Sequence, residues 1–145
     1  MARVNTYLNF QGNTEAAFLF YRSVFGGEFN GGIRRFSDIP PMPDCPPPAE
    51  AEANYVMHVE LPLYGGHSLM GTDTPEAMGK LSFGNNVSIS LEPDTQAETE
   101  RLFKALSEGG KIEMPLQHMF WGAYFASFTD RFGVQWMLNF PVAQA

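Results

Sequence analysis

The sequence predicts an α+β fold made of two βαβββ modules, and three observations predict it. The segment TYLNFQGNTEAA at residues 6–17 runs on to Gly26 and Gly27, and VSISLEPDTQAE at residues 87–98 runs on to Gly109 and Gly110. Each is a short alternating strand, a helix cap, a helix and a paired glycine stop, at an offset of about 81 residues, so the likeness lies in element pattern more than in identities. After each helix the chain offers three further strand-like runs separated by turn residues. An internal duplication thus sets the architecture: residues 1–73 are the first module, residues 86–140 the second, and residues 1–145 a single domain whose strands form a curved mixed sheet.

Each element follows from local chemistry. Residues 4–10 alternate as a strand, and Asn13 or Thr14 caps a helix that ends at Gly26 and Gly27. Residues 28–36 read as a second strand. Pro40, Pro41, Pro43, Pro46, Pro47 and Pro48 then forbid regular hydrogen-bonded structure, which makes a long loop, either a lid or a solvated connection. Tyr55 to Leu61 and His67 to Thr72 form a hairpin around Tyr64, Gly65 and Gly66. In the second module Asn86 to Leu91 is a strand, and Thr95 with Glu98 makes a capping box for a helix whose Leu102, Phe103 and Leu106 share a face. Lys111 to Leu116, Tyr124 to Thr129 and Val134 to Phe140 complete it, with a turn over Asp130 to Gly133.

Composition excludes several functions. A hydrophobic content of 44% and 14% aromatics support a packed core, and a net charge of −7 with one adjacent basic pair, Arg34 and Arg35, speaks against nucleic-acid binding. The opening MARVNTYLNF lacks the order of a signal peptide, and no apolar run reaches the roughly 18–20 residues of a membrane span. A cytoplasmic protein without a membrane partner is expected. The single cysteine, Cys45, cannot form an internal disulfide and fits a reducing compartment.

Alternation also says what each strand face offers. In the first strand Val4, Thr6, Leu8 and Phe10 oppose Asn5, Tyr7 and Asn9; in the strand opening the second module Val87, Ile89 and Leu91 oppose Asn86, Ser88 and Ser90. Each module then has an apolar face under its helix and a polar face opposite. If the two modules curve one sheet into a cup, the polar faces line it. Leu8, Phe10, Ile89, Leu91, Trp136 and Leu138 are the expected core. The candidate ligand-binding residues are Asn5, Tyr7, Asn9, His58, Glu60, Ser88, Trp121 and Met137. Trp121 enters as an aromatic that can stack on a ligand at the rim. His58 and Glu60 share a strand face, and such a pair can serve acid-base chemistry or simply line a pocket.

A duplicated βαβββ chain ending in FTDRFGVQWMLNF, residues 128–140, resembles the vicinal oxygen chelate superfamily, which holds glyoxalase I, extradiol dioxygenases and the bleomycin and fosfomycin resistance proteins. Its PhnB-like branch is the nearest likeness, carried by Tyr7 to Phe10 with Gly12 and Asn13, the helix end from Phe20 and Tyr21 to Gly26 and Gly27, Lys111 to Met114, Phe120 to Gly122, and Thr129 to Asn139. The resemblance implies a homodimer and a cup-shaped cavity for a small molecule. In metal-dependent members His and Glu hold a divalent ion that chelates vicinal oxygens of the substrate. Here the corresponding positions carry Asn5, Met70, Asn86 and Met137, two amides and two thioethers, so the ancestral metal site is read as lost and no metal or other cofactor is expected. A replacement site from His58, Glu60 and His67 fails on parity, because His67 should point away from the Met70 face. The demethylubiquinone methyltransferase label carried by PhnB-like proteins gains no support, since no Gly-rich strand-to-helix loop of a nucleotide-type cofactor site occurs.

No catalytic residue is assigned. The leading expectation is a small-molecule binder. Its rivals are a metal-dependent lyase, isomerase or dioxygenase of the glyoxalase type and an antibiotic-sequestering protein.

Overall fold

The computed structural model describes residues 2–40, 44 and 49–142. Cys45 and most of the Pro-rich run, with the expected lid, lie outside the described residues. The chain divides into two compact units, Met1–Ser82 and Phe83–Ala145. No helix among the described residues is long and apolar enough to cross a membrane.

The first unit holds β1 (Thr6–Phe10), α1 (Thr14–Phe25), β2 (Arg34–Arg35), β3 (Val56–Pro62) and β4 (Ser68–Asp73). Its sheet order is β1-β4-β3-β2, with β1 parallel to β4 and the other pairs antiparallel. Ala17, Phe18, Tyr21 and Val24 recur at helical spacing and are buried against the sheet. Phe18 lies over Gly71 of β4 so closely that any Cβ there would strike its ring. Gly26 ends α1 at φ 80, where a side chain is strained, and its N–H donates to the Arg22 carbonyl at 2.8 Å.

The second unit repeats the pattern with β5 (Ile89–Leu91), α2 (Gln96–Ser107), β6 (Lys111–His118), β7 (Ala123–Thr129) and β8 (Gln135–Pro141), in the order β5-β8-β7-β6. Again the opening strand is parallel to the last one. Trp136 and Leu138 are fully buried, as are Leu102 and Leu106 of α2, and Phe103 meets Phe128 edge to face at 5.8 Å. Thr95 accepts the Glu98 N–H at 3.1 Å, half of the expected capping box, while the Glu98 carboxylate pairs with Arg101.

Several expectations need correction. The strand expected over residues 28–36 contracts to Arg34 and Arg35, because Phe29 to Gly32 closes a turn and Asn30 donates its N–H to the Glu60 carbonyl at 2.9 Å. The strand expected from Asn86 begins only at Ile89, where pairing with Trp136 starts, and Val87 is exposed. Val4 precedes β1 and is exposed. Phe10 and Leu91 are buried as expected, whereas Leu8, paired with Gly71, and Ile89, the first residue of β5, are half-buried. Leu91→Ala should therefore cost about 2–3 kcal/mol, the lower part of the range for a buried leucine, since a three-residue edge strand relaxes around the gap. Urea unfolding checks this, and a loss under about 1 kcal/mol would contradict the face assignment.

Neither Asn13 nor Thr14 caps α1 with its own side chain. Asp73, at the end of β4, does so from across the sheet: one of its oxygens accepts the N–H groups of Gly12 (2.8 Å) and Thr14 (3.1 Å) and the Thr14 hydroxyl (2.6 Å). The other accepts the Val56 N–H at 2.9 Å. In the second unit Asp130 has a comparable structural role, accepting the N–H groups of Phe132 (2.8 Å) and Val134 (3.1 Å) and the Trp136 indole N–H (2.8 Å). The C-terminal stretch FTDRFGVQWMLNF thus contains a turn and its anchor.

Candidate functional site

On the sheet face of the first unit turned from α1, register places Tyr7, Met70 and Glu60 in one row and Arg34 beside His58. Two groups of contacts form there. The Tyr7 hydroxyl and His58 Nδ1 are 3.0 Å apart and hydrogen-bonded, and burial raises the Tyr7 pKa, which keeps the phenol protonated. The second group centres on Glu60, whose residue is only 8% exposed. Its carboxylate accepts the Ser68 hydroxyl at 2.7 Å, the Asn30 amide at 3.3 Å and Arg3 Nη2 at 3.4 Å. Arg3 Nη2 also reaches Ser68 Oγ (3.1 Å) and Asn5 Oδ1 (3.2 Å), and Asn5 Oδ1 accepts the Ser68 N–H at 3.1 Å.

A groove of about 630 Å³ opens beside this network, lined by Arg3, Asn30, Glu60, His67 and Ser68 among others. The Ser68 hydrogen bond, aided by Arg3 and Asn30 and opposed by burial, holds the Glu60 carboxyl below the usual glutamate range. An acid so stabilised as its anion is a strong acceptor and counter-ion, and a poor general base at neutral pH. His58 and Glu60 share a face as expected, but each bonds its own partner, Tyr7 and Ser68. His67, which precedes β4, places its Nε2 2.8 Å from Thr6 Oγ1 and also lines the groove beside Glu60. No group of three or more His, Cys, Asp or Glu suited to a metal ion occurs among the described residues.

Asn9 is an exposed residue of β1 paired with Thr72. In the second unit Met137 pairs with Ser90 and Ser127 on the face away from Leu91, Trp136 and Leu138. Ser88 is exposed ahead of β5. Trp121 sits in the turn between β6 and β7, 49% exposed, with edge contacts to Phe120 at 5.1 Å and Phe125 at 5.6 Å. His118 is exposed at the end of β6 and stacks on Tyr124, and Trp136 lies in the core as expected.

Arg3, Asn30 and Ser68 were not among the expected site residues. Ser68 was within reach of sequence reasoning, since it shares strand parity with Met70. Arg3 and Asn30 lie outside the strands and carry no periodic signal.

The paired βαβββ units define the class. This is the fold of glyoxalase/bleomycin resistance protein/dioxygenase proteins: such an enzyme from Burkholderia phytofirmans PsJN aligns over 94% of this chain and 98% of its own with a TM-score of 0.62. At 16% identity that likeness concerns the fold alone. The chain itself belongs to the PhnB-like family described as 3-demethylubiquinone-9 3-methyltransferase, whose family model matches residues 2–139. It is 30% identical to Protein YjdN of Escherichia coli K12 over 94% of this chain and 93% of YjdN. The crystal structure of PA1353 from Pseudomonas aeruginosa is 39% identical, covering 99% of this chain and all of its own, with a TM-score of 0.86. The PhnB protein of Bacillus cereus is 26% identical over 96% of this chain and 99% of its own, at a TM-score of 0.75.

Proposed function

We propose that the chain binds a small polar organic molecule on the polar sheet face that carries Asn5, Tyr7, Asn9, His58 and Glu60. The observation that supports this reading is the buried, ionised Glu60, held by Ser68 and Asn30 at the wall of a groove. A desolvated charge is costly to maintain, and a groove with a few convergent polar groups is what ligand sites use for orientation. Ser88, Trp121 and Met137 are the second unit's candidates for ligand contact.

The metal chemistry implied by the fold class does not fit the residues present. Asn5 Oδ1 already accepts two N–H donors, and the corresponding Met70, Asn86 and Met137 offer thioethers and an amide where a hard divalent ion needs carboxylate or imidazole. Methyl transfer, which the family description names, fares no better. In the turn leading to α1, Asp73 takes the N–H groups of Gly12 and Thr14, and at α2 Thr95 takes that of Glu98. Neither turn offers the open glycine cradle of a nucleotide-type cofactor site, and no methyl-transfer step follows from these residues. Glu60, held as its anion, favours binding over proton transfer.

The test is native mass spectrometry of the purified chain, followed by titration of the recovered molecule into variants. His58→Ala and Trp121→Ala should each weaken binding about tenfold while costing under about 1 kcal/mol of stability, because both side chains lie outside the fully buried core. If both variants bind as the parent does, or both unfold, the assignment is wrong. Stoichiometric Zn, Ni, Mn or Fe lost on changing Asn5 or Asn86 would restore the metal-enzyme reading. Recovery of a chemically unaltered drug would favour sequestration.

A further inference from the structure

We infer that Arg3 occupies the place of a ligand's cation, and that the groove over Glu60 recognises small molecules bearing a guanidinium or ammonium group, which displace Arg3 from the carboxylate. This rests on the reading of the groove as the ligand site and adds the chemical class of its occupant.

Two arginine–carboxylate pairs in the same unit show why Arg3 is displaceable. Arg35 meets Glu15 fork to fork, Nη1 to one oxygen at 3.1 Å and Nη2 to the other at 2.9 Å. That is the strong, directional form of the pair. Arg3 instead spreads one nitrogen, Nη2, over Asn5, Glu60 and Ser68 at 3.1–3.4 Å. Its side chain is 50% exposed, so water screens the attraction, whereas the Glu60 side chain is 11% exposed. The buried partner is fixed and the exposed one is loosely held.

The backbone allows the exchange. Arg3 precedes β1, whose pairing with β4 begins at Thr6 and Leu69, so residues 2–4 can shift without opening that ladder or breaking the bond from the Ser68 N–H to Asn5. A departing Arg3 leaves Glu60 with the Ser68 and Asn30 donors and an unmet charge at a groove of about 630 Å³, ample for a guanidinium. An incoming guanidinium can present two N–H groups to the two oxygens, the geometry Arg3 does not achieve. The net charge of −7 favours the approach of cations over anions.

The experiment is an NMR titration of the full chain with methylguanidine, methylammonium and acetate, following the amide signals of Asn30 and Ser68. Methylguanidine and methylammonium should shift these signals and acetate should not. Arg3→Ala, a change at an exposed side chain, should lower the half-saturating methylguanidine concentration about tenfold by removing the internal competitor. Glu60→Gln should abolish the response, and should that variant fail to fold, the Arg3→Ala comparison decides alone. A response to acetate in place of the cations, or equal half-saturation with and without Arg3, overturns the inference. If a molecule recovered with the protein shifts Asn30 and Ser68 while the cations do not, the cation assignment fails and the groove remains the ligand site. If neither shifts them, both readings fail.

Discussion

Asp73→Ala should destabilise the chain by about 4 kcal/mol, a large fraction of the stability of a marginally stable domain. Four donors converge on this one carboxylate, and two of the residues that supply them, Thr14 and Val56, are buried. Alanine leaves the Thr14 N–H and hydroxyl and the Val56 N–H without an acceptor, each costing about 1–3 kcal/mol, while the exposed Gly12 can turn to water. The start of α1 is then uncapped as well. Asp73→Asn should fall between, at about 2 kcal/mol, because one oxygen survives and the new NH₂ faces a donor. Urea denaturation of the three proteins provides the order. A loss under about 1 kcal/mol for the alanine variant would mean that water reaches these groups and that the carboxylate is not the anchor of α1.

Trp136→Ala should cost about 3–5 kcal/mol through the cavity left beneath α2. Its side chain is fully buried in β8, and its indole N–H donates to Asp130 at 2.8 Å, which couples the strand to the preceding turn. Trp136→Phe separates the two contributions. It keeps most of the apolar volume and removes the indole donor, so about 1–2 kcal/mol should be lost. Equal losses for the two variants would show that the hydrogen bond to Asp130, and not the packing, dominates. Thermal unfolding followed by tryptophan fluorescence is unsuitable for variants of this residue, so circular dichroism is the readout.

Strand faces were the most legible feature in the chain, because a side-chain period of two is a local property. Alternation alone placed Phe10, Leu91, Trp136 and Leu138 in the core and put His58 and Glu60 on one face of their strand, which sheet register joins to Tyr7. Element ends were less legible. Asn13 looked like a cap by residue type, yet the acceptor for Thr14 comes from Asp73, 59 positions along the chain. Leu8 and Ile89 share the parity of Phe10 and Leu91 and are still only half-buried, since parity fixes the face of a side chain and not what covers it.

Element order, the duplication, the helix cores and the inward or outward parity of each strand residue were determined by the sequence itself, through backbone preferences and spacing that act within a few residues. The Glu60 network was decided only by the tertiary structure. Its donors come from Arg3 ahead of β1, Asn30 in a turn and Ser68 at the start of β4, 57, 30 and 8 positions away. Side chains without a shared period meet only where sheet register and turn geometry bring them together. The charge, acceptor capacity and partners of this site are therefore properties of the folded chain, set by long-range hydrogen bonds that no local pattern encodes.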